Sequence, residues 1–145
     1  MSHRILIVDD NAIIRRSLRT CIEQNTGWEV CGEAENGQDA IEKVMDLHPD
    51  LVTLDWQMPV MNGIEAAREI SRLRLPPPTM LMMTLYDSGR LTQEAHAAGI
   101  KEVLSKTDGV AEHLIEFLGN AWEGTPTWRA ESRQRIPGAA LRSPW

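Results

Sequence analysis

Five short strand-like runs, most of them apolar and each closing on a polar residue, constrain this chain more than any other feature. Ile5-Leu6-Ile7-Val8 runs into Asp9-Asp10, Leu51-Val52-Thr53-Leu54 into Asp55, Met80-Leu81-Met82-Met83 into Thr84, and Val103-Leu104-Ser105 into Lys106. A fifth short run covers 29–33. Nearly continuous apolar runs of this length suit strands of a parallel sheet with helices on both faces. If they are parallel neighbours, three carboxylates, a hydroxyl and an ammonium meet at one edge of the sheet.

Helical patterns fill the gaps. Asn11 is placed to cap a helix that carries Ile14, Leu18, Cys21 and Ile22 on one face, with Gly27 just past its end. Asn36 caps a second, with Ala40, Ile41, Val44 and Met45 at helical spacing and Pro49 as its stop. A third begins near Asn62-Gly63, shows Ile64, Ala67, Ile70 and Leu73, and breaks at Pro76-Pro77-Pro78. The fourth, over 88–98, has only a thin stripe of Leu91, Ala95 and Ala98. The last shows Val110, Leu114, Phe117, Leu118 and Ala121. This alternation predicts an α/β fold: a doubly wound five-stranded parallel sheet, order 2-1-3-4-5, with five helices, flavodoxin-like. Ligands of such sheets sit beyond the carboxyl ends of the strands where strand order reverses, here between the first and third strands. Asp9, Asp10 and Asp55 stand at that rim.

Two segments divide the chain. Residues 1–123 read as the folded domain. Residues 124–145 hold three prolines, two glycines and four arginines against a single acid, Glu131, and read as a flexible tail, with Trp128, Ile136, Leu141 and Trp145 as docking candidates. The net charge of -6 argues against general nucleic-acid binding, and no helix-turn-helix pattern follows the domain, so direct DNA binding is not expected. No apolar stretch reaches the roughly 20 residues of a membrane span. The first residues show no secretory pattern, and Cys21 and Cys31 lack metal or disulfide spacing, so a cytoplasmic location is expected, with both cysteines as small buried residues.

The chemistry of the edge follows from its residue types. Three clustered carboxylates repel one another unless a cation joins them, and Mg2+, which takes hard oxygen ligands and keeps several waters, is the natural one. Asp10 and Asp55 are placed to bind it directly, Asp9 through a water or by sharing charge, and the backbone carbonyl of Gln57 to fill another position. Asp55 is then a carboxylate nucleophile able to form an acyl phosphate. Lys106 supplies a mobile positive charge, and Thr84 a hydroxyl donor, for phosphoryl oxygens.

The pieces Ile5-Leu6-Ile7-Val8-Asp9-Asp10-Asn11, then Asp55-Trp56-Gln57-Met58-Pro59-Val60-Met61-Asn62-Gly63, then Thr84 and Ser105-Lys106 make the chain resemble the receiver domain of two-component response regulators, over about residues 3–122. The resemblance implies phosphorylation of Asp55 by a histidine of a partner sensor histidine kinase or histidine phosphotransfer protein. It implies Mg2+ held by Asp10, Asp55 and the Gln57 carbonyl with help from Asp9, and Thr84 and Lys106 as the residues that sense the phosphoryl group. Gln57 and Tyr86 match positions that tune loss of the phosphoryl group, and Tyr86 is expected to hinder the hydrolytic water. The output would be a downstream protein or a self-dimer, reached through the surface near helix 4, strand 5 and helix 5.

Three positions depart from the usual pattern. Thr107 replaces a proline, which is expected to leave the next loop less fixed. Val103 replaces an aromatic switch residue, which puts the signal on Thr84 and backbone shifts. Asn62 replaces an aspartate and still caps a helix. Trp56 either gates Asp55 or packs, Arg15 and Arg16 are either solvated charge or part of a kinase-docking face, and His3, His48, His96 and His113 read as surface or packing residues. Two other functions compete: a phosphatase with Asp55 as nucleophile, which needs a second acid where Gln57 stands, and a binding module of the same fold that is never phosphorylated.

Overall fold

The structure is a computed structural model that describes residues 3–74, 76–85, 88–107 and 109–119. Along the chain it runs β1 (Arg4–Val8), α1 (Ala12–Asn25), β2 (Glu29–Ala34), α2 (Gly37–Leu47), β3 (Leu51–Asp55), α3 (Gly63–Ser71), β4 (Thr79–Thr84), α4 (Gly89–Ala97), β5 (Glu102–Ser105) and α5 (Val110–Gly119). All pairings are parallel, in the order β2-β1-β3-β4-β5. The expected doubly wound architecture is therefore the observed one.

Strand residues alternate between two cores, as the pleat requires. Leu6, Val8, Val52, Leu54, Met80 and Met82 pack with the apolar faces of α2, α3 and α4. Ile5, Ile7, Leu51, Leu81 and Met83 pack with Leu18, Ile22, Leu114, Phe117 and Leu118 of α1 and α5. Because both faces are covered, the three central strands carry almost no polar side chain. Away from the strand ends Thr53 is the exception: it is 1% exposed, and its hydroxyl has no hydrogen-bond partner among the described residues.

The helix starts follow the sequence. Asn11 accepts from the amides of Ile13 and Ile14, Asn36 from Asp39, and Ser88 from Leu91, while Asn62 and Glu65 form a reciprocal capping box. Other details differ from expectation. Gly27 does lie just past the end of α1, but the capping residue is Thr26, which in extended conformation gives both its amide and its hydroxyl to the Ile22 carbonyl. Met45 lies at the edge of its helix face and is 44% exposed. Pairing shifts between Ile5↔Val30 and Leu6↔Gly32, so Cys31 is an extra residue in β2. Neither cysteine is fully buried as expected: Cys21 lies on the partly open side of α1 and Cys31 on an edge strand, and both are half-buried. Burial still raises the Cys31 thiol pKa, and its Sγ lies 3.3 Å from the Ile5 carbonyl oxygen. Among the described residues no helix is long and apolar enough to cross a membrane. Ala121 and the 124–145 segment lie outside the described residues.

Candidate functional site

Parallel pairing puts the carboxyl ends of all five strands on one edge. There β1 hands the chain to α1 on one face while β3 hands it to α3 on the other, and a cleft of about 310 Å³ opens between the two connections. Asp9, Asp10, Asp55, Thr84 and Lys106 line it, with Asn11, Trp56, Gln57 and Leu85 at its rim. Asp9, Asp55 and Thr84 are 2%, 7% and 1% exposed, whereas Asp10 reaches solvent. One carboxylate oxygen from each of Asp9, Asp10 and Asp55 lies within 4.8 Å of the other two.

The Lys106 ammonium spans the cleft. It stands 2.9 Å from Asp9 Oδ2 and 2.8 Å from Asp55 Oδ1. Burial pushes the Asp55 carboxyl up to about 6. Asp9 and Asp10 add to the rise, and the Lys106 hydrogen bond opposes it. Lys106 moves in the opposite sense to its own burial: desolvation disfavours its charge, but hydrogen bonds to Asp55 and Asp9 outweigh that and raise its pKa. A half-buried cation between two acids is thus retained as a cation, and Asp10 stands beside it with no ion-pair partner among the described residues. An oxygen-only donor set of this kind suits a hard divalent ion.

Local structure fixes each wall. Asp9 Oδ1 accepts from the Asn11 amide at 2.9 Å, so the residue that caps α1 also orients the buried acid. Below Asp55, the Trp56 amide donates to the Met83 carbonyl, and the Gly63 amide to the Trp56 carbonyl. A Cβ at Gly63 would lie 2.5 Å from the Asp55 carbonyl oxygen, so only glycine lets the start of α3 approach so closely. Between them Val60 holds φ 72°, and the Met61 amide closes a three-residue turn onto the Pro59 carbonyl at 2.7 Å. A β-branched residue there is strained. On the far wall the Lys106 amide donates to the Thr84 carbonyl at 2.8 Å.

A family model for the response regulator receiver domain matches residues 5–116. The chain belongs to that family. A protein-glutamate methylesterase/protein-glutamine glutaminase of Alkalilimnicola ehrlichii is 43% identical to this receiver over 107 residues, which is 73% of the chain but 27% of that protein. The receiver thus spans about a quarter of that relative's length. Chemotaxis protein CheY of Thermotoga maritima is 42% identical over 106 residues, 73% of this chain and 87% of CheY. Among solved structures, the response regulator domain of Thermotoga maritima CheB superposes with a TM-score of 0.72 at 32% identity, covering 81% of this chain and 91% of that one.

In this receiver, Asp9, Asp10, Asp55, Gln57, Thr84 and Lys106 come to one cleft, and Tyr86 lies outside the described residues. Trp56 both lines the cleft and packs on the core beneath α2 and α3. Of the described histidines, none lines the cleft, and His3 stacks on Trp28 with ring centroids 4.7 Å apart. Two features were not anticipated. Thr107 Oγ1 lies 2.6 Å from Ser105 Oγ, and its amide donates back to that hydroxyl, closing a turn over Lys106, while residue 108 of the loop that follows lies outside the described residues. Arg15 is not solvated charge. Its side chain is 16% exposed, and it reaches both Glu33 and the Asp9 carbonyl oxygen. Hydroxyls two residues apart around Lys106 were a visible signal for the first; nothing local in the sequence marks the second.

Proposed function

We propose that this receiver accepts a phosphoryl group on Asp55 from a phosphohistidine of a sensor histidine kinase or histidine phosphotransfer protein. The observation that carries the reading is the Lys106 ammonium bridging Asp9 and Asp55 beside a third carboxylate. Asp10, Asp55 and the Gln57 carbonyl, with Asp9 assisting, would hold Mg2+. Once bound, the ion screens the negative charges that meet during transfer.

An Asp55 carboxylate oxygen attacks phosphorus in line, a new O–P bond forms, and the P–N bond to the donor imidazole breaks. The electron pair leaves on the imidazole nitrogen, which is protonated from solvent. Lys106, already against Asp55, turns its ammonium to a phosphoryl oxygen. The Thr84 hydroxyl donates to another. That capture draws the ends of β4 and β5 toward Asp55 and reshapes the surface near α4, β5 and α5, where a downstream protein or a second copy binds. Val103, half-buried against the core, leaves the signal to Thr84 and the backbone.

The chain then catalyses only its own phosphorylation and dephosphorylation, and Gln57 and Tyr86 set how long the phosphoryl group lasts. The working unit is residues 1–123, in the cytoplasm, with neither DNA nor membrane as a direct partner. A phosphatase reading lacks its general acid, because Gln57 stands where a second carboxyl is required. Incubation with Mg2+ and a small acyl phosphate, followed by intact-mass analysis, tests the proposal. One base-labile phosphoryl adduct is expected, absent in Asp55→Asn and absent when Mg2+ is chelated. An adduct that persists in Asp55→Asn overturns it.

A further inference from the structure

We infer that Arg15 is a positioning residue for the acid pair: its guanidinium holds the peptide that joins Asp9 to Asp10 and so sets where the Asp10 carboxylate stands. The inference rests on the reading of Asp10 as a magnesium ligand.

Asp10 is the most exposed of the three clustered acids, and no neighbouring side chain donates to its carboxylate among the described hydrogen bonds. Its placement must then come from the backbone. A peptide unit is planar, so fixing the Asp9 carbonyl oxygen fixes the amide and Cα of residue 10 as well. Arg15 Nη1 donates to that oxygen at 2.6 Å. At the other end of the residue, the Asp9 amide donates to the Ala34 carbonyl at 3.0 Å. Its carboxylate is taken by the Asn11 amide and by Lys106. Asp9 therefore has every polar atom occupied, and Asp10 hangs from a unit that cannot turn.

The arginine is itself held. Its Nε lies 2.9 Å from Glu33 Oε1, and Arg19 Nε lies 2.7 Å from Glu33 Oε2, so one carboxylate on β2 orients two arginines of α1. Lys43 of α2 donates to the Glu33 backbone oxygen. Arg15 and Arg19 thus both pair with Glu33, Arg19 being more exposed and also reaching Glu23, but of the two described side chains Arg15 alone goes on to the Asp9 carbonyl. Lysine could not do the same, because a single ammonium lacks the rigid fork that points two donors in two directions.

Titration calorimetry with Mg2+ on the full chain tests this, with thermal unfolding recorded for each variant. Arg15→Met is expected to weaken Mg2+ binding about tenfold, a loss the size of a misplaced ligand support. Arg19→Met, which breaks the same kind of ion pair with no reach to Asp9, is expected to stay within about twofold of the wild type while losing similar stability. Arg15→Lys is expected to fall between, about threefold weaker, and carries the test should Arg15→Met not fold. Wild-type affinity in the Arg15 variants, or equal weakening in Arg19→Met, overturns the inference. A wild-type chain that takes up no Mg2+ overturns the underlying reading instead.

Discussion

The two walls of the acid cleft are built from different bonds. On the β1–α1–β2 side, the Asp9 amide, carbonyl and one carboxylate oxygen are held, and Arg15, Glu33 and Arg19 tie a helix to the edge strand through half-buried ion pairs. On the β4–β5 side, beyond the strand ladder, the Lys106 amide donates to the Thr84 carbonyl and the Ser105 and Thr107 hydroxyls pair, and Lys106 carries the ion pairs to Asp9 and Asp55. β5 is four residues long with none fully buried, and α4 buries only Leu91 and Ala95. In the proposed mechanism the first wall presents ligands at fixed positions, which suits bracing by charge, and the second moves when a phosphoryl group arrives, which suits bonds that exchange at low cost.

The largest expected effect lies on the floor between the walls. Asp55 is raised from 3.8 to about 6, so the folded state binds its proton more tightly than the unfolded chain does. That contribution to stability is present below the unfolded pKa and is lost as pH rises through about 6. Without Mg2+, Asp55→Asn should therefore raise unfolding free energy at pH 7.5 by about 1–3 kcal/mol, measured by urea denaturation, with the gain vanishing near pH 4. A destabilised Asp55→Asn would show that Lys106 gains more from this carboxylate than burial costs.

Glu33 should show the reverse sign. Burial would raise its pKa, but hydrogen bonds from Arg19 and Arg15 outweigh that and lower it below 4.5. Its contribution is present above that value and lost as pH falls through the folded pKa. Glu33→Gln is expected to cost about 1 kcal/mol at pH 7, discounted for solvent screening, and nothing in acid. If both variants changed stability in the same direction with pH, the contrast between floor and braced wall would fail.

Smaller effects sharpen the contrast. Thr53→Val removes the orphan hydroxyl in β3 and should add about 1 kcal/mol, read as a higher unfolding midpoint, with Mg2+ affinity unchanged because no cleft atom moves. Thr107→Val breaks an exposed hydroxyl pair and should cost only about 0.5 kcal/mol. Its consequence should appear instead in the lifetime of the phosphorylated form, because the turn that carries Lys106 loosens. An unchanged lifetime would remove Thr107 from the switching wall.

What the sequence made legible were features with a short-range physical cause. Asp9, Asp55, Thr84 and Lys106 stand out because buried parallel strands are apolar until they emerge. Asn11, Asn36, Asn62 and Ser88 stand out because helix starts need acceptors. Arg15 did not, because an arginine on the first turns of a helix looks solvated until β2 brings Glu33 beside it, a pairing across 18 residues. The Ser105–Thr107 turn did not stand out for a related reason. The missing proline was visible, but the hydroxyl bond that replaces it depends on backbone geometry. The exposure of Met45 and of both cysteines is likewise set by how far each helix rolls on the sheet and where β2 bulges, which periodicity does not report.

In the proposed mechanism the carboxylate at the end of β3, and no other, takes the phosphoryl group. Phosphorylation with a small donor and Mg2+, then borohydride reduction and peptide mapping, tests it most directly, because reduction converts a phosphorylated aspartate to homoserine. Homoserine is expected at position 55 alone. Homoserine at position 9 or 10, or a phosphorylated chain with aspartate intact at 55, would contradict it.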